Sequence, residues 1–344
     1  MTVLYVREQG ARICRNGEKV RVMQKGKILY EMAVRELDQV VVYGNVQLTT
    51  QAAALLVSQN VDVVFYSQHG RFRYRLVQTG ARYARLHQAQ LRMVEDERRA
   101  LAVAQAVVVG KLHNQAALLT ALAAKMAAAR SVAEGLTRAA AGVRQMQANC
   151  VHATTPDGLR GFEGRAGAIY FGAMQTLVPP SWGFRGRAYH PPPDPWNATL
   201  SFGYSLLLKD VAAAVQLVGL DPYVGFFHAL EANRPALVLD LMEEFRPLVD
   251  AMCLELLAAD KLPLAHYRRQ PDPEQPVLMG PQLVPVLIEA WEKRLAQTVR
   301  YGLSGEQTSL RRCLELQARQ MAAVILGQAA SYRPQSLVFE GGKG

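Results

Sequence analysis

Val61-Asp62-Val63-Val64-Phe65-Tyr66, followed by Gly70-Arg71-Phe72-Arg73-Tyr74-Arg75, ends one kind of sequence and precedes another. The first run is β-branched and aromatic, as a buried strand requires; the second alternates cation and ring, which puts Arg71, Arg73 and Arg75 on one face if it is extended. Such an arginine row suits phosphate contact and a solvated sheet face equally well. Upstream, similar runs recur at Val3 to Val6, Lys19 to Met23, Lys27 to Met32 and Gln39 to Tyr43. Asn16-Gly17 predicts a hairpin with positive φ at both turn positions, and Lys25-Gly26 and Tyr43-Gly44-Asn45 mark further reversals. One helix interrupts the strands, Thr49 to Gln59, with Thr49 or Thr50 as its cap. Beyond Gly80 the chain becomes rich in Ala and Leu, and helices are expected over Glu97 to Ala106 and Gln115 to Arg130. The expected fold is α+β: a small N-terminal β domain, 1–79, followed by a larger all-helical domain, 80–344.

Half of the 344 residues are hydrophobic and a fifth are charged, enough apolar surface for a folded chain with two unequal cores. Thirty-nine Lys and Arg against 29 Asp and Glu leave a net charge of +10, which suits a polyanionic partner. Cys14, Cys150, Cys253 and Cys313 are too dispersed for a disulfide framework or a CxxC site; they read as small buried hydrophobes in a reducing compartment. Met1 to Gln9 carries Arg7 and Glu8 and lacks the pattern of a secretory signal, so a cytoplasmic location is expected. Ala198 to Leu220 is apolar but interrupted by Lys209 and Asp210, which predicts a buried helix and no membrane association. Prolines at 179–180, 191–195 and 271–276 impose extended loops, Tyr267 to Gly280 reads as a surface excursion, and Gly341 to Gly344 as a frayed end.

Two stretches carry candidate chemistry. In Asp157-Gly158-Leu159-Arg160-Gly161-Phe162-Glu163-Gly164-Arg165-Ala166, a turn is expected to deliver Glu163 to the mouth of a helix, where an isolated carboxylate only complements the dipole. In Ala236-Leu237-Val238-Leu239-Asp240-Leu241-Met242-Glu243-Glu244-Phe245-Arg246-Pro247, Asp240 and Glu243 are three apart and share a face of one helix. His228 ends an apolar run just upstream. One imidazole with several carboxylates suits magnesium or manganese better than zinc, and a hard divalent cation in a basic protein suits phosphodiester chemistry.

These residues reach a known pattern. Gly161-Phe162-Glu163-Gly164, the loop Pro192-Pro193-Asp194-Pro195 leading to Asn197 and Ser201-Phe202-Gly203-Tyr204, the stretch Val218-Gly219-Leu220-Asp221-Pro222-Tyr223-Val224-Gly225, and Leu239 to Pro247 resemble CRISPR-associated protein one along nearly the whole chain. The resemblance implies an endonuclease and integrase that inserts spacer DNA into a CRISPR array. Its metal ligands would be Glu163, His228 and Glu243, with Asp240 a further acidic member of the catalytic set. It also implies a homodimer formed through the N-terminal domain, a heterocomplex with CRISPR-associated protein two, and double-stranded DNA (spacer fragment and repeat) as substrate. Asn197 and Tyr204 are expected to be structural, a helix cap and a core ring. The rival expectations are a non-catalytic DNA-binding scaffold and a stand-alone nuclease acting on branched DNA.

Overall fold

The computed structural model describes residues 2–68, 72–76, 83–188, 191–269 and 276–339. Arg71, the expected boundary at Gly80, most of the third proline cluster and the glycines at 341–344 lie outside the described residues. The chain divides into two compact units, Met1–Ala81 with Met279–Pro285, and Arg82–Leu278 with Val286–Gly344. The architecture is α+β, with strands first and helices dominating thereafter.

The first unit holds β1 (Val3–Val6), β2 (Arg12–Asn16), β3 (Lys19–Gln24), β4 (Lys27–Ala33), β5 (Gln39–Tyr43), β6 (Gln47–Leu48), α1 (Thr50–Ser58), β7 (Asp62–Tyr66) and β8 (Phe72–Leu76). One sheet runs β1-β5-β7-β8, with β1, β5 and β7 parallel and β8 antiparallel; the other runs β4-β3-β2-β6. Every residue of β5 is buried, which is why its Val-Val-Val run lacks alternation. Thr49 caps α1, its side chain accepting from Ala52 N. Val6, Ile13, Val22, Val40, Leu56 and Val63 form the core.

The hairpin expectation needs correction. Asn16 pairs with Lys19 and ends β2, so the loop is Gly17-Glu18 with positive φ at Gly17 only. The turn with both residues left-handed is Lys25-Gly26, at φ of 48° and 79°. The arginine row is also divided in use: Arg75 Nη2 lies 2.7 Å from Asp62 of β7, while Arg73 is exposed.

The second unit contains α2 (Ala84–Glu95), α3 (Glu97–Lys125), α4 (Arg130–Cys150), α5 (Pro156–Gln175), α6 (Pro195–Val218), α7 (Ala236–Met242), α8 (Arg246–Ala258), most of α9 (Leu283–Leu295), and α10 (Leu310–Ile325), with a short ribbon of Thr298–Arg300 against Gln307–Ser309. The two helices expected over 97–106 and 115–130 are one, because Val107, Val108 and Gly110 between them are buried and packing outweighs their weak helix propensity. α3 packs against α4, α5 and α8. α3 and α6 are long and apolar enough to cross a bilayer by length and composition alone, and α6 is mostly buried, as expected for Ala198 to Leu220. Within the unit, 67% of the most apolar stretch of α3 and 78% of that of α6 are buried. Lys209 and Asp210 are buried too: Asp210 accepts hydrogen bonds from Trp291 and Arg311 and lies 3.0 Å from Lys209 Nζ. No disulfide forms among the four cysteines, and burial pushes the thiols of Cys150 and Cys313 up to about 11.

Candidate active site

Glu163 does not stand at a helix mouth. Thr155 caps α5 by accepting from Gly158 N at 3.1 Å, and Pro156, with its φ already helical, starts the helix two turns before Glu163. Gly158, Gly161 and Gly164 read as a turn yet stay helical, because Leu159, Ala166, Tyr170 and Met174 bury one face. A dipole role for Glu163 therefore lapses; the effect is confined to the first turn.

Asp240 and Glu243 both reach His228 but otherwise take different partners. α7 ends at Met242 and tightens into a 3-10 turn, Glu243–Phe245, before Pro247 seats the first turn of α8. Asp240 turns back to the loop before α7. Its Oδ2 accepts from Phe226 N at 2.5 Å and Phe227 N at 3.0 Å; its Oδ1 accepts from His228 N at 2.9 Å and lies 2.7 Å from His228 Nδ1. A ring of backbone donors around one carboxylate is an anion nest, and here the anion is a side chain. Gly225 allows the close approach: a Cβ there would lie 2.6 Å from the Ala236 carbonyl carbon and 2.8 Å from Asp240 Oδ2.

The Asp240 carboxylate occupies the Nδ1 side of the His228 ring and leaves Nε2 on the side away from Asp240. Nε2 lies 3.9 Å from Glu243 Oε1. Asp240→Asn is expected to destabilise the protein by about 2–4 kcal/mol in urea unfolding, because an amide cannot accept from all four donors. Unchanged stability together with an unchanged His228 tautomer in nitrogen NMR would show that the loop does not depend on the charge.

Glu163 and Glu243 meet at one point, and Lys111 of α3 occupies it. Lys111 Nζ lies 2.5 Å from Glu163 Oε1 and 2.6 Å from Glu243 Oε2. Arg246 Nε donates to Glu243 Oε1 at 2.7 Å. Burial alone would raise the Glu243 carboxyl, but Arg246, Lys111 and His228 outweigh it and hold it down to about 2. Glu163 remains 23% and His228 16% exposed while Glu243 is 3% exposed, so the cluster opens to solvent on the Glu163 and His228 side.

Among the described residues no group of three or more His, Cys, Asp or Glu is close enough to hold a metal ion as it stands. The donor set nevertheless fits a hard cation. Two carboxylates already converge on a positive charge, and an imidazole nitrogen lies 3.9 Å from one of them. The sequence reading missed Lys111, whose signal was a lone cation inside the apolar stretch Val107 to Leu112.

A polar chain supports the site from below. The Arg246 guanidinium packs over the Tyr204 ring, 4.7 Å from its centroid, and Asp250 accepts from Tyr204 Oη at 2.6 Å and Tyr170 Oη at 2.7 Å. Tyr170 lies on α5 with Glu163, so this link ties α5 to α8. Burial pushes Asp250 up to about 6 despite those hydrogen bonds. Asn197 is no helix cap. Asp194 caps α6, and Asn197 holds the preceding loop through Arg187, Ala188 and Gly186.

The chain matches the family model described as CRISPR associated protein Cas1 over residues 4–293. A CRISPR-associated endonuclease Cas1 of Thermus thermophilus is 36% identical over 326 residues, covering 94% of this chain and 96% of that protein. A second from the same organism is 31% identical over 335 residues, covering 96% of both. Among solved structures, a casposase bound to integration product has a TM-score of 0.86 at 20% identity, covering 100% of this chain and 96% of that one. A Cas1 protein from Thermotoga maritima has a TM-score of 0.78 at 20% identity over 99% of this chain and 100% of its own. With its fold shared by these structures and its sequence aligned almost end to end with curated relatives, the chain belongs to the Cas1 family.

Proposed function

We propose that the protein is a divalent-metal-dependent DNA endonuclease and integrase that inserts new spacer DNA into a CRISPR array by phosphodiester transesterification, the adaptation stage of antiviral defence. The observation that carries this reading is the convergence of Glu163 and Glu243 on one cationic point beside a His228 whose Nδ1 is held by Asp240. Glu163, Glu243 and His228 would hold magnesium or manganese, and the ion would supply charge neutralisation for the transferring phosphoryl group. Asp240 acts through His228 as a positioning residue, a reading supported by its contacts with the loop amides and Nδ1. Arg246 holds Glu243 ionised, and the net charge of +10 favours a DNA substrate.

The relatives named as endonucleases and the fold shared with a casposase bound to integration product support cleavage and strand transfer as the two outcomes of one in-line displacement. The substrates are the double-stranded spacer fragment and the CRISPR repeat. A structural neighbour titled as a Cas6-RT-Cas1–Cas2 complex, with a TM-score of 0.83 at 22% identity, supports Cas2 as partner. The N-terminal β unit forms a homodimer, for which the edge strand β4, with Ile28 and Tyr30 half exposed, is the available surface. The helical unit carries catalysis, in the cytoplasm.

Calorimetric titration with manganese tests the assignment. Parent protein binds, and His228→Ala weakens binding by at least roughly 10-fold, the lower end of what loss of even an outer partner costs. Equal affinity in both proteins removes His228 from the ligand set.

A further inference from the structure

We propose that Lys111 is the resident counter-ion of this site: its ammonium holds Glu163 and Glu243 together in the metal-free protein and leaves that position when a divalent cation arrives. The inference rests on the metal-dependent reading above and adds to it the group that the metal must displace. Lys111 Nζ stands 2.5 Å and 2.6 Å from the two carboxylates that would hold the metal, and a second cation brought to the same oxygens would be repelled by it. Its side chain is 7% exposed, so the two carboxylates bear on its charge in a site with little solvent.

The two cations on Glu243 differ in freedom. Arg246 reaches Oε1 from three residues away along the chain and its guanidinium is stacked on Tyr204, so it is fixed. Lys111 reaches Oε2 from a different helix on a flexible four-carbon stem, a point charge that can swing aside. The lysine thus keeps two facing carboxylates from repelling each other in the empty state, and metal affinity is lower than the donors alone would provide.

Lys111→Met separates these effects. Without metal the variant melts several degrees below the parent protein; manganese restores the loss, and calorimetry finds binding tighter by roughly tenfold, the buried ion pairs no longer needing to be broken. A second measurement uses the unaltered protein and is immune to a variant that fails to fold. In reductive methylation with formaldehyde and a borane, read by peptide mass spectrometry, Lys111 reacts more slowly than exposed lysines without metal and several-fold faster with saturating manganese. Parent protein that binds no manganese overturns the metal-dependent reading itself. Parent protein that binds manganese while Lys111 labelling is unchanged, or a folded Lys111→Met variant with parental affinity, overturns the displacement alone.

Discussion

Glu163→Gln and His228→Ala are each expected to reduce the joining of a labelled DNA fragment to repeat DNA by on the order of a thousandfold, since electrostatic stabilisation of a transferring phosphoryl group is worth several kcal/mol. The fold should survive both changes. Glu163 is partly exposed on one face of a helix whose other face is packed, and in the Gln variant Glu243 still pairs with Lys111 and Arg246. His228→Ala loses the ring contacts with Asp240 and Phe227, but the backbone donors to Asp240 remain. Melting temperature therefore discriminates between explanations. Lost joining at near-parental melting temperature supports a role at the reacting phosphate; full joining in either variant removes that residue from the chemistry.

Glu244→Ala carries the largest expected cost in stability, about 4 kcal/mol, because several buried donors lose their acceptor together. Glu244, one residue beyond Glu243, accepts from Tyr332 Oη at 2.6 Å, from Gln335 N at 2.6 Å and from Gln317 Nε2 at 2.9 Å. Asn114 of α3 extends the network: its amide donates to the carbonyls of Glu244 and Gln335 and accepts from Leu337 N. Gly110, on the preceding turn of α3, has no room for a side chain under this strap, since a Cβ would lie 2.2 Å from Pro334 Cβ. The strap from Tyr332 to Leu337 thus fastens the turn bearing Glu243 to the helix bearing Lys111. Urea unfolding measures the loss, and a change below 1 kcal/mol would show that water replaces the carboxylate.

The same residue sets a pH dependence. Burial pushes Glu244 up to about 7 against its three donors, and Asp250 up to about 6. A carboxyl raised on folding contributes most where it is protonated in both states, below its unfolded value of ~4.3 for Glu, and that contribution disappears as pH rises through the folded value. Glu243, held down to about 2, has the opposite sign: its contribution is present above the ordinary carboxylate range and is lost as the pH falls toward 2. Melting temperature should therefore decline from mildly acidic to mildly alkaline pH, and Glu244→Gln should flatten the part of that decline around pH 7. An unaltered slope in the variant assigns the decline elsewhere.

The division into strands and helices was legible because Val-Ile-Tyr runs punctuated by glycine contrast with long Ala-Leu stretches. Turn chemistry was read in the wrong place: Asn16-Gly17 carries the stronger composition signal, yet pairing of Asn16 with Lys19 leaves only Gly17 left-handed. The glycines of α5 were read as a turn because propensity is local, whereas the buried face that keeps them helical comes from packing. Spacing put Asp240 and Glu243 on one face, and both reach the ring of His228, but it could not say that Asp240 would be taken up by the amides of residues 226–228 and Glu243 by Lys111 and Arg246. Lys111 escaped notice for a different reason. Its two carboxylate partners come from distant segments, and only their meeting explains a lysine among valines.

The strap also bears on where a truncation would be felt. Tyr332 to Leu337 lie far downstream of Lys111, Glu163, His228 and Glu243, yet they tie down the turn and the helix from which two of those residues project. A stop codon ahead of Tyr332 would leave every member of the cluster in the chain and remove the hydrogen bonds that brace two of them, so the damage would fall far from the missing segment.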